Sequence, residues 1–161
     1  NVFHDIANCH DLNHRIAVCN FDETLSHQAF AASDFMLMPS LFEPCGLPQM
    51  TATIYGSLPI VRNTGGLHDS ISHLNIETQT GNGFRFDNYD IGGLSWAIDQ
   101  AMDFYKLNAK TKTENIERIM IESLERFNHT VTAQGYIDIY QKMLHRPLVQ
   151  EKFNRSGVKN V

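Results

Sequence analysis

Two short segments of this chain place chemically useful groups beside a flexible backbone. Glu43 is followed at once by Pro44, Cys45 and Gly46, and a Gly65–Gly66 pair lies further along the chain. Each segment is predicted to join the end of a strand to the start of a helix. Ligands of open α/β sheets bind at such loops, where helix N-termini present free N–H groups that suit phosphate. The pattern therefore predicts a site for a phosphorylated or nucleotide-linked substrate.

The elements that must position these loops are predicted from hydrophobic periodicity and from turn residues. Helices are predicted at residues 3–12, from a cap at Asp22, Thr24 or Ser26 to Ala32, at Leu47–Tyr55 and at Leu67–Leu74, and strands at Arg15–Asn20, Phe35–Met38, Leu58–Val61 and Phe84–Phe86. Gly56 is predicted to stop the third helix. Strands separated by helices indicate a parallel sheet of about four or five strands with helices on both faces, in a Rossmann-like α/β fold.

The apolar spacing changes after Asp90 and predicts three closing helices. We expect one Rossmann-like domain over residues 1–145, followed by a disordered tail over 146–161. Because Asn1 reads as the middle of a helix, we expect the domain to be incomplete at its N-terminus. Trp96, Tyr136 and Tyr140 fall on helical apolar stripes and are predicted to be core residues.

Composition narrows the class of protein. The 161 residues are 42% hydrophobic and carry a net charge of -5, which gives no electrostatic reason to expect a nucleic acid or an anionic membrane as partner. No apolar run is long enough to span a bilayer. The three cysteines form no CxxC pair, and no zinc-type His or Cys spacing occurs. We therefore expect a cytoplasmic, reducing environment and no metal site.

Three runs of sequence carry a family resemblance. The segments FDETLSHQAFAASDFMLMPS, PSLFEPCGLPQM and YGSLPIVRNTGGLHDSI resemble bacterial glycogen synthases and plant starch synthases, closely over about residues 15–90 and loosely beyond. The resemblance implies the C-terminal half of a GT-B fold, in which two Rossmann-like domains enclose the active site. It also implies retaining transfer of glucose from ADP-glucose or UDP-glucose to the non-reducing end of an α-1,4-glucan, with no metal and no cofactor besides the donor.

The same resemblance assigns roles to individual residues. Glu43 would be the catalytic carboxylate that contacts the donor sugar near the point of transfer. The backbone of Cys45, Gly46 and Leu47 would contact sugar hydroxyls, the loop at Thr64, Gly65 and Gly66 would form an anion pocket, and Phe21 would stack on the nucleotide base in place of the usual Tyr. Thr51 stands where the wider superfamily has a second Glu, which favours the synthase branch.

Each assignment has a structural alternative. Glu43 could cap the helix that begins near Leu47, Gly65–Gly66 could form a plain turn, and Phe21 could be a core aromatic residue. Ser26 and His27 are expected to cap and pack their helix. Cys45 has no His base near it in sequence, so it is not predicted to be a nucleophile.

The chain lacks the acceptor-side domain of the family and the Arg and Lys pair that neutralises the donor diphosphate. We therefore expect the domain to be inactive alone, with the α-glucan acceptor bound through the missing domain. Two other hypotheses remain open: a noncatalytic α/β nucleotide-binding or interaction module, and another GT-B glycosyltransferase with a different acceptor. The EPCGL run and the missing second Glu count against the latter.

Overall fold

The computed structural model describes residues 2–148, and it contains one parallel sheet with helices packed around it. Its elements, in chain order, are α1 (Val2–Cys9), α2 (Glu23–Ala32), β1 (Phe35–Met38), α3 (Pro48–Tyr55), β2 (Leu58–Arg62), α4 (Gly65–Ser70), β3 (Phe84–Phe86), α5 (Ile91–Tyr105), α6 (Ala109–Arg126) and α7 (His129–Leu144). The strand at Phe35–Met38 and the three closing helices are confirmed.

The three strands lie in the order β1-β2-β3 and all run parallel. Phe35 pairs with Leu58, and Ile60 pairs with Phe84. Because parallel strands end at the same edge of a sheet, the segments 39–47, 63–64 and 87–90 meet at the carboxyl edge. The loop that contains Glu43 and the start of α4 are thus neighbours.

Alternating side chains of the strands pack against helices on opposite faces of the sheet. One buried cluster joins strand residues to α5 and α6, and consists of Leu58, Ile60, Leu74, Phe84, Phe86, Ala97, Ala101, Phe104 and Ile119. A second cluster joins Val61 of β2 to Leu67 of α4 and to Ile71 just after it. The predicted α/β architecture with helices on both faces is confirmed.

Side-chain caps explain where several helices begin. The carboxylates of Asp22 and Asp90 and the amide oxygens of Asn108 and Asn128 each accept a backbone N–H three residues on, from Leu25, Gly93, Thr111 and Val131 respectively. Gly56 ends α3 with φ at 83°, a left-handed conformation that glycine adopts without strain. Both the Asp22 cap and the Gly56 stop match the sequence prediction.

The predicted strand at Arg15–Asn20 does not form, so the described part of the chain has three strands and not four or five. The segment is apolar enough for a strand, but a strand also needs a neighbour for its backbone hydrogen bonds. Residues 16–20 pair with no strand, and Ile16 is exposed. Phe21 therefore follows an unpaired segment instead of a strand end.

Helix bounds also differ from the prediction at several ends. The first helix stops at Cys9, and α3 begins at Pro48, whose fixed φ suits a first helical position. The helix predicted at Leu67–Leu74 begins earlier, at Gly65, and ends at Ser70, because Ile71 takes an extended conformation. From residue 149 onward the predicted tail lies outside the described residues.

Trp96, Tyr136 and Tyr140 are exposed, so their prediction as core residues is wrong. Helix α7 contains no buried residue. Helical spacing identifies which residues share one side of a helix, but it does not reveal whether another element covers that side. Here none of the described elements buries the apolar side chains of α7.

A half-buried histidine lies beside the exposed Trp96. The ring of His73 stacks on the Trp96 indole, with 5.2 Å between centroids and 24° between planes. Its Nδ1 accepts the backbone N–H of Arg85 at 3.1 Å, so this nitrogen must be unprotonated. Burial lowers the pKa of His73 below its usual value of 6.5.

We expect His73 to make the fold acid-sensitive. As pH falls through about 6.5, the unfolded chain binds a proton before the folded chain does, so the free energy of unfolding decreases there. This contribution is fully present above that pH. Urea unfolding between about pH 7.5 and pH 5 measures it.

The variant His73→Gln keeps an acceptor for the Arg85 N–H and cannot titrate. It should lose less stability on acidification than the wild type, whereas the exposed His10→Gln should behave like the wild type. Equal pH dependence in His73→Gln and the wild type would contradict the assignment.

Candidate active site at the carboxyl edge

The loop between β1 and α3 is fixed to the start of α4 by its backbone. The Gly66 N–H donates to the Glu43 carbonyl oxygen at 2.8 Å. The Glu43 side chain is half-buried, and its carboxylate forms no hydrogen bond or ion pair within residues 2–148. The cap position of α3 is Leu47, which offers no side-chain hydrogen bond. The alternative that Glu43 caps this helix is therefore wrong.

Glycine is required at positions 65 and 66 because two backbone segments almost touch there. A Cβ on Gly65 would lie 2.1 Å from the Glu43 carbonyl oxygen, and one on Gly66 would lie 1.9 Å from that of Cys45. Neither separation is possible for a real Cβ. Both glycines belong to the first turn of α4 and not to a free loop. One N–H group of the predicted anion pocket, that of Gly66, is thus bonded to the Glu43 carbonyl and is not available to a ligand.

The buried side-chain amide of Gln49, which the sequence analysis missed, also holds this loop in place. Gln49 is fully buried, and its Nε2 lies within hydrogen-bond distance of the Gly46 carbonyl at 2.7 Å, the Cys45 carbonyl at 3.1 Å and the Ser70 hydroxyl at 3.0 Å. The Ser70 hydroxyl in turn donates to the Gly66 carbonyl at 2.6 Å. This network ties the loop to both α3 and α4. A buried polar residue cannot be recognised from composition, although its place just after the loop glycine is a signal.

Arg62 bridges the loops that follow β1 and β3. Its guanidinium donates to the Leu41 carbonyl and lies over the Tyr89 ring, 4.8 Å from the centroid. Arg85, the other cation close by in sequence, is used differently, because its Nη1 donates to the carbonyls of His68 at 3.4 Å and Ile71 at 3.1 Å. Of these two cations, Arg62 is therefore the one bonded to the Glu43 loop.

Three polar side chains form a chain of hydrogen bonds along this edge. Asn63 Nδ2 donates to Asp87 Oδ1 at 2.5 Å, and His68 Nδ1 lies 2.6 Å from Asn63 Oδ1. Because the Asn63 amide donates to the carboxylate, its oxygen must accept, which places a proton on His68 Nδ1. This chain links the ends of β2 and β3, and no sequence motif identified it.

The structure brings most of the predicted site residues together. Glu43, Cys45, Gly46, Gly65 and Gly66 are joined by the contacts above. Thr64 caps α4 with its backbone, and its hydroxyl forms no hydrogen bond within residues 2–148. The carboxylate of Glu43 and the hydroxyl of Thr64 are therefore both free to meet a ligand.

Two predicted residues stand apart from these contacts. Phe21 is 89% exposed, which excludes a core role, and no hydrogen bond or ring contact within residues 2–148 joins it to the Glu43 loop. Leu47 is exposed at the end of that loop. Cys9, Cys19 and Cys45 are free thiols.

The described residues offer neither a cluster of metal ligands nor a membrane-spanning helix. Over the described range 2–148, no group of three or more His, Cys, Asp or Glu side chains could hold a metal ion. None of the helices in that range has the length and apolar character needed to cross a membrane. Beside the Glu43 loop, the carboxylate of Glu43 and the hydroxyl of Thr64 are therefore free, and the bonded guanidinium of Arg62 adds one positive charge. This set of groups suits a polar ligand.

Comparisons with known proteins point to the same chemistry. The model of the family "Glycosyl transferases group 1" matches residues 2–118. A glycogen synthase of Bacillus cytotoxicus is 40% identical over 124 residues, which cover 77% of this chain and 25% of that protein. A glycogen synthase of Clostridium botulinum strain Eklund 17B is 44% identical over 126 residues, which cover 78% of this chain and 26% of that protein.

A solved structure extends the similarity to the fold. The catalytic domain of starch synthase IV from Arabidopsis thaliana, bound to ADP and acarbose, has a TM-score of 0.75 and 35% identity over 89% of this chain and 29% of that one. The predicted membership of the GT-B fold is confirmed. The chain spans about a quarter of the length of the curated relatives described above.

We expect Gly66→Ala to destabilise the fold by about 1–3 kcal/mol, because the new methyl group overlaps the Cys45 carbonyl. Gly135→Ala on α7 is the matched control, since a Cβ there meets nothing within 4 Å. It should be stabilising by up to about 1 kcal/mol through helix propensity. Urea unfolding of both variants measures the difference. Equal stabilities would contradict the close backbone approach.

Proposed function

Because the chain belongs to the family "Glycosyl transferases group 1", we propose that it is the C-terminal, nucleotide-sugar-binding part of a glycogen or starch synthase. The complete enzyme would transfer glucose, with retention, from ADP-glucose or UDP-glucose to the non-reducing end of an α-1,4-glucan. The single observation that carries the proposal is the unpaired Glu43 carboxylate, which the first turn of α4 holds at the carboxyl edge.

The role proposed for Glu43 follows from its environment. Glycosyl transfer passes through a transition state with positive charge on the sugar ring. A carboxylate with no protein partner, on a backbone held by Gly66 and Gln49, can stabilise that charge without first breaking another contact. Thr64 offers its free hydroxyl, and the backbone of Cys45–Leu47 is proposed to bind sugar hydroxyls.

The nucleotide part of the donor would extend away from Glu43, towards residues that fewer contacts hold in place. The exposed ring of Phe21 is proposed to stack on the base. Arg62 supplies one positive charge near the edge, which is less than a departing diphosphate needs. We therefore assign the remaining charge compensation, and the α-glucan acceptor site, to parts of the enzyme outside this chain.

The setting of the reaction is part of the same proposal. The transfer would need no resident cofactor or metal, with the nucleotide sugar as donor substrate. A cytoplasmic location is supported by the three free thiols, since a reducing compartment keeps cysteines unpaired.

In the complete synthase, Glu43→Ala should lower turnover by about 100-fold or more while leaving stability unchanged. The carboxylate contributes no hydrogen bond to the fold, so only its action on the reacting sugar is lost. Labelled glucose incorporated into glycogen gives the rate, and thermal unfolding gives the stability.

The exposed loop residue Glu77 provides a matched control, and Glu77→Ala should keep wild-type turnover. Near wild-type turnover in Glu43→Ala would refute the catalytic role. It would favour the alternative of a noncatalytic nucleotide-binding or interaction module.

The 161-residue chain alone should bind ADP or UDP weakly and should not elongate glycogen. Only one wall of the proposed cleft is present, so the sugar stays in contact with water and electrostatic stabilisation remains small. Calorimetric titration with both nucleotides and the labelled-glucose assay measure this. Turnover that approaches that of the complete synthase would show that other groups perform the chemistry.

A further inference from the structure

A cavity lies at the same edge of the sheet, on the far side of β2 from the Glu43 loop. It occupies about 300 Å³ and is lined by Arg85, Asp87, Asn88, Gly92 and Trp96, among others. The Glu43 loop follows β1 and this cavity follows β3, so two strand spacings, about 10 Å, separate them. The cavity is thus separate from the Glu43 loop.

The size of the cavity limits what it can hold. Ligand pockets in proteins typically range from about 300 to 1,000 Å³, so this one is at the lower limit. It is large enough for one small ring. One wall is bare backbone, because a Cβ on Gly92 would meet only Asp90 Oδ1, at 3.4 Å. The ring of a ligand can therefore approach the main chain closely.

The charged side chains that line this cavity favour a neutral ligand. Arg85 is the cation of this cavity, and its Nη1 is already bonded to the carbonyls of His68 and Ile71. Asp87 adds a negative charge that would repel phosphate. Asn88 is exposed, and its side-chain amide has no hydrogen-bond partner within residues 2–148, so it can both donate and accept.

An aromatic surface completes the cavity. The Trp96 indole is 48% exposed, although His73 covers one of its faces. The stacked His73 fixes the orientation of the ring, so little side-chain freedom is lost when a ligand packs on its exposed part. An immobilised aromatic ring beside an amide and a carboxylate offers an apolar surface together with hydrogen bonds at its rim. A pyranose ring needs both, since its C–H groups are apolar and its hydroxyls are polar.

The geometry points to a binding subsite for one neutral hexopyranose unit, formed by Trp96, Asn88 and Asp87. The choice of an α-glucan as the source of that unit rests on the proposed function. The subsite would bind a glucan chain away from its reacting end, which the acceptor site outside this chain would hold, and it would take no part in the transfer itself.

Trp96 is the only tryptophan of the chain, so its emission reports directly on this cavity. Titration of the 161-residue chain with maltotriose should change that emission and reach saturation, whereas ADP and inorganic phosphate should neither change it nor compete. In Asn88→Ala the half-saturating concentration should rise about threefold to tenfold, as expected for one lost hydrogen bond. Asn20→Ala, another exposed asparagine without a hydrogen bond, should match the wild type.

Calorimetry tests the ring itself. Trp96→Ala should weaken maltotriose binding about tenfold, and Tyr136→Ala, which removes an exposed aromatic ring on α7, should leave binding unchanged. Glu43→Ala should also bind maltotriose normally, so a failure of the proposed transfer chemistry would not affect this result. The subsite is refuted if maltotriose gives no saturable change, if ADP competes, or if Asn88→Ala and Trp96→Ala, both folded by circular dichroism, bind like the wild type.

Discussion

The contact between the Gly66 amide and the Glu43 carbonyl determines the geometry of the whole carboxyl edge. It joins the loop after β1 to the first turn of α4, and the missing Cβ of Gly66 allows the backbones to approach this closely. The buried amide of Gln49 holds the same loop from the opposite side. With its main chain fixed in this way, the loop can leave the Glu43 carboxylate without a protein partner. A carboxylate that is to act in catalysis has to be held in place through its main chain. Hydrogen bonds to the carboxylate itself would have to break before it could act.

The other loops of this edge are tied to each other by polar side chains. Arg62 reaches from the end of β2 to the Leu41 carbonyl on one side and the Tyr89 ring on the other, and Asn63 connects His68 to Asp87. These contacts are partly exposed, so each contributes modestly to stability. Their main effect is to set the relative positions of three loops. The same contacts leave the edge with little free positive charge, which supports the proposal that diphosphate binding depends on other parts of a complete enzyme.

The sequence predicted the elements well where local signals decide the structure. The apolar run Phe35–Met38, the Asp22 cap and the Gly56 stop each act through neighbouring residues, and all three are confirmed. Predictions that depend on distant partners were less successful. Arg15–Asn20 has the composition of a strand but no strand to pair with, and Tyr136 and Tyr140 lie on a stripe that no described element covers. Gln49 and the Asn63–Asp87 pair were missed because their importance arises only when separate loops meet.

Helix α7 also affects how the unfolding of this protein should be understood. It spans 16 residues, none of them buried, and isolated helices of about that length are marginally stable in water. We therefore expect the helix to unfold outside the cooperative unit formed by the sheet and α3–α6. Far-ultraviolet ellipticity includes α7, whereas Trp96 emission follows only the packed part of the molecule. The two signals would trace different curves on heating, and a single transition temperature would describe neither α7 nor the core correctly.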